Sequence, residues 1–254
     1  MRRVDLNCDM GESFGAYSIG ADEEIMPLIS SANIACGFHG GDPLVMRRAV
    51  RLARECGVAV GAHPGYRDLA GFGRRYIACS PDEIHGDVLY QIGALAAICR
   101  AEGVPLRHVK PHGALYNRAA TDPDVAEAIA AAVADFDRGL FLFAPPGSAL
   151  ESAGTAAGLR VVREAFADRC YAADGTLLPR SLPGSVLHDP SAAAAQACQV
   201  ACRGTVTAAT GEEVPVPART ICVHGDHAGA AGLLRRIRES LASVGVEVAG
   251  PHLD

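Results

Sequence analysis

Leu106-Arg107-His108-Val109-Lys110-Pro111-His112-Gly113-Ala114-Leu115-Tyr116-Asn117 decides the fold. Four residues of strand character run directly into a polar, glycine-punctuated turn. Pro111 rules out an ordinary helix across the join, and Gly113 frees the backbone beside His112. Lys110 is the only lysine of the chain, so every other cation among the 23 Lys and Arg residues is a guanidinium. An ammonium is a compact donor whose pKa responds to burial, which a guanidinium cannot offer.

Working outward, the same design recurs. Val4-Asp5-Leu6-Asn7-Cys8-Asp9 alternates, placing Asp5, Asn7 and Asp9 on one side of an extended chain. Three polar groups on one strand face carry a desolvation cost unless they bind something, although a hydrogen-bonded turn also uses Asp and Asn. The strand at 31–36 ends in Gly37-Phe38-His39-Gly40-Gly41, and the strand at 58–62 ends in His63-Pro64-Gly65. The strand at 159–166 ends in Asp168-Arg169, and the one at 220–223 in His224-Gly225-Asp226-His227. Between them lie helices with clear start signals. Asp42-Pro43 opens one running to Cys56, and Ser80-Pro81-Asp82-Glu83 is a capping box for a helix ending near Gly103. Asp122-Pro123 and Asp189-Pro190 open Ala-rich helices, Ser148 opens another, and a last helix covers 228–244. An apolar run at 139–144 reads as a strand buried on both sides. Residues 172–189 form an irregular excursion, 204–217 a peripheral hairpin, and 246–248 a final short strand.

Seven alternations of strand and helix imply parallel strands with right-handed crossovers. An open doubly wound sheet would place ligands at one switch point, using one or two loops. Here six strand ends carry polar groups, which favours the C-terminal rim of a closed barrel. The expected fold is a single-domain, distorted (β/α) TIM-like barrel of about seven parallel strands, spanning 1–254.

Composition removes several function classes. A net charge of −6, no basic run and no Trp argue against a nucleic-acid partner. No apolar run is long enough to span a bilayer, and Met1-Arg2-Arg3-Val4-Asp5 lacks a signal peptide's apolar core, so a cytoplasmic location is the default. The nine cysteines are odd in number and lack any CxxC; Cys36, Cys56, Cys79, Cys99 and Cys222 read as buried free thiols. No GxxxxGK[ST] is present, so a Walker-type nucleotide site is excluded.

Any one histidine has a dull explanation as a core or surface residue. Five of them (39, 63, 112, 224 and 227) at strand ends do not. Asp9, His39 and His63 follow three consecutive strands and could hold zinc, magnesium or another divalent ion, which would activate water and polarise a carbonyl. Asp5 or Asp226 could serve as general base, and Lys110 or His112 could stabilise an oxyanion or a phosphate. Arg74, with Arg75, could hold an anion or be a solvated pair. His108 has a purely structural reading. The reaction class these residues suit is hydrolysis of a small, polar, anionic substrate.

Taken in order, Asp5 to Gly15, Ser31 to Pro43, Gly61 to Tyr66, Gly71 to Arg75, Val109 to Asn117, Glu164 to Arg169 and Val223 to Asp226 closely resemble the LamB/YcsF family. Gly40 departs from the Ala expected in many members, and within 172–217 only Pro179-Arg180 and Pro183-Gly184 match. The resemblance implies a seven-stranded barrel related to polysaccharide deacetylases. It implies ATP-dependent opening of the lactam of 5-oxo-L-proline to L-glutamate, with ATP as co-substrate and with B and C partner subunits. The substrate-binding candidates are Asn7, Glu12, Arg74, Asp168, Arg169 and His224, and the catalytic ones Asp5, Asp9, Lys110, His112 and Asp226. Two alternatives stand beside it: an ATP-independent metal amidohydrolase or deacetylase, and a non-catalytic chain that delivers substrate to its partners. Homo-oligomerisation stays open.

Overall fold

The computed structural model describes residues 2–226 and 229–251. His227 and the first residue of the expected last helix lie outside the described residues. The chain alternates β1 (Arg2–Met10), a short α1 (Asp22–Ile25) with a 3-10 turn, β2 (Ser31–Ala35), α2 (Pro43–Cys56), β3 (Ala59–His63), α3 (Pro81–Ala101), β4 (Leu106–Val109), α4 (Gly113–Thr121) and α5 (Pro123–Phe136). It continues through β5 (Phe141–Ala144), α6 (Ala149–Ala156), β6 (Arg160–Phe166), α7 (Pro190–Arg203), β7 (Thr205–Thr207), β8 (Glu213–Pro215), β9 (Thr220–Cys222), α8 (Ala230–Ser243) and β10 (Val246–Val248).

Strands β1 to β6 and β9 pair side by side in parallel, and β9 also pairs with β1, which closes a seven-stranded barrel. β10 lies outside the ring, against the first residues of β1. β7 and β8 form the separate antiparallel hairpin expected from the turn-rich stretch.

The caps work as their residue types require. Asp42 accepts from the backbone N–H groups of Leu44 and Val45, Pro43 occupies the first turn of α2, and Gly57 ends the helix in the left-handed region at φ 69°. The Ser80–Glu83 capping box is formed. Helix α4 was not foreseen. Pro111 does forbid a helix through the join, but the chain starts a new one two residues later, with His112 at its N-cap.

Alternation along the strands separates two interiors. Leu6, Cys8, Ile34, Val60, Ala62, Val109, Leu142, Ala165 and Ile221 face the helices and belong to one continuous apolar core. Each fully buried Leu or Ile there is worth roughly 1.5–3 kcal/mol. The other strand face points into the barrel, where Phe141, Phe143 and Val162 form a small apolar cluster of their own. The rest of that lumen is polar. All nine cysteines are free, but Cys56, the last residue of α2, is exposed and Cys79, in the loop before α3, is only half-buried against the core, contrary to expectation.

Candidate functional site

The site grows upward from the barrel floor. At the bottom Asp5 is fully buried. Its Oδ1 accepts from Ser30 Oγ and Ser31 Oγ, both at 2.7 Å, and its Oδ2 from Thr220 Oγ1 at 2.6 Å. Burial outweighs these donors and pushes its carboxyl up to about 6. Expected as a general base, Asp5 instead closes the barrel from within, joining β1, β2 and β9, with its oxygens committed to hydroxyls.

One layer higher, Asn7 donates to Glu164 Oε1 at 2.9 Å and Thr220 Oγ1 at 2.7 Å. Asn33 donates to Asn7 Oδ1 and to Asp9 Oδ1, and its own oxygen accepts from His108 Nε2–H at 2.8 Å. His108 stacks on Phe143, and burial takes its imidazole down to about 3, so the ring is neutral. It occupies the space opposite Gly61: a Cβ at residue 61 would collide with its ring.

Lys110 crosses the lumen here, 2% exposed. Its ammonium reaches Asp9 Oδ1 at 3.0 Å, Glu164 Oε1 at 3.1 Å, Cys222 Sγ at 3.0 Å and Asn7 Oδ1 at 3.2 Å. Burial would lower its pKa, but Asp9, the Cys222 sulfur and Glu164 outweigh burial and hold it charged. Three N–H bonds shared among four acceptors leave none for a substrate. The expected substrate-facing cation is therefore an internal counter-ion. Burial would likewise raise Asp9, yet His63 and Lys110 hold its carboxyl well below the usual range.

At the rim, Glu12, His39, His63 and His112 bring donor atoms within 4.8 Å of one another, all four side chains being buried. Two tautomers are fixed by carbonyls. His63 Nδ1–H donates to Lys110 C=O at 2.7 Å, and His112 Nε2–H donates to Phe72 C=O at 2.8 Å. His63 Nε2 and His112 Nδ1 then face each other at 2.9 Å, and Asp9 Oδ2 faces the same His63 nitrogen at 3.2 Å. These are three acceptors in a row. His39 stacks on His112 at 3.7 Å between ring centres; its Nε2 lies 3.3 Å from Glu12 Oε1, and its Nδ1 has no partner among the described residues. Burial, then the neighbouring histidines, keep His39 and His112 neutral. Burial, then Asp9 and Asp226, push Glu12 well above the usual carboxylate range. One shared proton would relieve the His63–His112 contact alone. A divalent cation held by Glu12, His39, His63 and His112 would meet the converging lone pairs together, so the donor set fits a metal.

Of the expected metal triad, His39 and His63 do converge. Asp9 Oδ2 lies 3.2 Å from His63 Nε2, and Asp9 also groups with Cys222 and His224 in a second set of donors within 4.8 Å that already contains the Lys110 ammonium. On the β6 and β9 side, Asp168 accepts from His224 through both its backbone N–H, at 3.1 Å, and its ring Nδ1–H, at 2.9 Å. Phe166 stacks on His224, and the Lys110 ammonium lies over its ring. Asp226 pairs with Arg74. Arg169 is buried and donates to the carbonyls of Leu178 and Ser185, so it braces the chain rather than facing the mouth.

Glu164, Asn33, Cys222 and Thr220 were not foreseen as site residues. Arg163-Glu164 carried a signal: adjacent charges within a strand cannot both face solvent, so one had to enter the lumen. Glu164 Oε2 and Tyr116 Oη remain without a hydrogen-bond partner among the described residues.

The LamB/YcsF family model matches residues 4–253. A protein of Symbiobacterium thermophilum, named as the A subunit of 5-oxoprolinase, is 74% identical, the match covering all of this chain and 97% of that one. One of the same name from Thermus thermophilus is 56% identical over 97% of this chain and 98% of its own. The crystal structure of a lactam utilization protein from Thermus thermophilus superposes with a TM-score of 0.94 at 55% identity, covering 98% of this chain and all of that one.

Proposed function

The chain belongs to the LamB/YcsF family, and from that premise we propose that it is the A subunit of an ATP-dependent 5-oxoprolinase, cytoplasmic and working with B and C subunits. The lactam of 5-oxo-L-proline would be opened to L-glutamate as ATP becomes ADP and phosphate. The observation that carries this is the end-to-end similarity to relatives of that name.

A five-membered lactam is a poor electrophile. Phosphorylation of its amide oxygen makes the ring carbon open to attack by water, and the barrel mouth is built to place that water. Asp9 is kept ionised by Lys110 and lies at the edge of the histidine cluster, where it can take a proton from water. His63 and His112 are held in orientation by main-chain carbonyls. A divalent ion held by Glu12, His39, His63 and His112 would supply an acidified water and a polarised carbonyl. His224, fixed by Asp168, and Arg74, paired with Asp226, line the facing side.

The test is reconstitution with the B and C subunits and measurement of glutamate release from 5-oxo-L-proline. Turnover is expected only when all three chains and ATP are present. Robust turnover by this chain alone, or none from the full set, would reject the proposal. The donor cluster favours one second reading, a metal amidohydrolase that needs no ATP. Metal-stripped protein separates the two: that reading requires ATP-independent cleavage of a small amide that disappears with the metal and returns on its addition.

A further inference from the structure

An anionic substrate needs a cation, and the cations nearest the mouth are engaged. The Lys110 ammonium is shared among Asn7, Asp9, Glu164 and Cys222. Arg74 is taken by Asp226 and Arg75 by Asp68. Arg169 spends its N–H groups on the carbonyls of Leu178 and Ser185. Arg180 differs. It is exposed, and its guanidinium has no hydrogen bond or ion pair among the described residues.

Its position is braced. Residues 179–182 form a turn closed by Leu182 N–H donating to Pro179 C=O at 3.0 Å, and Ser185 Oγ–H donates back to Arg180 C=O at 3.3 Å. The excursion carrying that turn is tied to the end of β6: Leu178 N–H donates to Cys170 C=O, Cys170 N–H to Ser185 C=O, and Leu187 N–H to Asp168 C=O. Arg180 thus rides on a segment bonded to the backbone of Asp168 and Cys170 and to the Arg169 guanidinium, at the end of β6. Asp168 is already given to His224 and Asp226 to Arg74. Arg180 therefore brings an exposed guanidinium, unpartnered among the described residues, to this end of the barrel, with the local carboxylates committed elsewhere and Arg169 held inside by carbonyls. That is an anion subsite waiting for charge.

We propose that Arg180, carried on the 172–189 excursion, forms a substrate subsite that binds an oxyanion at the barrel mouth: the carboxylate of the lactam substrate or a phosphoryl oxygen of its activated form or of the nucleotide. The identity of the anion rests on the lactam proposal above; the subsite does not.

The probes are 5-oxo-L-proline, inorganic phosphate, ADP and the uncharged lactam 2-pyrrolidinone, titrated calorimetrically into the full chain, wild type and Arg180→Ala. Loss of a charge-assisted contact weakens at least one anion by roughly 10- to 100-fold and leaves 2-pyrrolidinone unchanged. Arg180→Lys, which keeps the charge without the fork, falls in between. Weakening confined to 5-oxo-L-proline identifies the carboxylate; weakening of phosphate and ADP identifies the phosphoryl group. Every anion binding alike to wild type and Arg180→Ala, including not at all, overturns the subsite. In the three-subunit complex the same substitution raises KM with kcat within about 3-fold when the anion is the substrate carboxylate, and lowers kcat when it is a phosphoryl oxygen of the activated form. A wild-type complex that releases no glutamate while the chain still discriminates through Arg180 overturns the lactam proposal and leaves the subsite standing.

Discussion

Two donor sets share the barrel mouth, and they differ in one respect. Glu12, His39, His63 and His112 lie together with their lone pairs converging on one another. Asp9, Cys222 and His224 lie as close together, but the Lys110 ammonium stands among them. The same residue types therefore make an open cation site in one place and an internally neutralised one in the other. What distinguishes them is charge balance rather than the presence of His, Cys or Asp. A buried carboxylate must be paired, hydrogen-bonded or given a cation: Asp9 has Lys110, Asp5 has three hydroxyls, and the Glu12 set has its histidine lone pairs still to be met.

The sharpest way to break that contrast is to remove the built-in cation. Lys110→Ala leaves Asp9 and Glu164 buried without it, and urea unfolding should show a loss of about 3–5 kcal/mol. If the second set then becomes a metal site, added zinc will recover part of that loss in the variant and not by this route in the wild type. Next in size is the loss of a donor from the open set. His63→Ala should weaken zinc binding by at least about 100-fold, beyond the 10- to 100-fold typical of supporting residues, whereas Cys222→Ser should change it by less than about 3-fold. Equal losses in the two variants would erase the distinction.

The smallest effect concerns Asp5, the acid one layer down that has hydroxyls but no cation beside it. Burial pushes its folded pKa up to about 6 from 3.8. Below about pH 4 both folded and unfolded chains hold this proton. Between 4 and 6 only the folded chain does, so stability falls as pH rises, by about 2–3 kcal/mol in all, and is flat above. Asp5→Asn should flatten that slope in denaturation curves taken across the window. A slope that persists would assign it to another acid.

The parallel barrel and the polar rim were legible because strand ends and caps are local: Asp42-Pro43 or Ser80 to Glu83 declare helix starts without help from the rest of the chain. Helix α4 was hidden because Pro111 signals a stop and says nothing about a restart two residues later. His39 and His63 could be grouped from their consecutive strands. The role of Lys110 could not, since its acceptors come from β1, β6 and β9, up to 112 residues away. Sequence identified an unusual ammonium; only closure of the barrel shows that its protons are already used. For the same reason Asp5 looked like a base, its three hydroxyl partners being scattered over Ser30, Ser31 and Thr220.

Gly61 belongs to none of these sets and touches no reacting group. Yet a methyl there would strike His108, whose Nε2–H fixes Asn33, which in turn holds Asp9. In mutational terms the sensitive target is wider than the mouth itself: one added carbon in the barrel wall, with no change of charge, would be passed through two side chains to the Asp9 carboxylate at the edge of the histidine cluster.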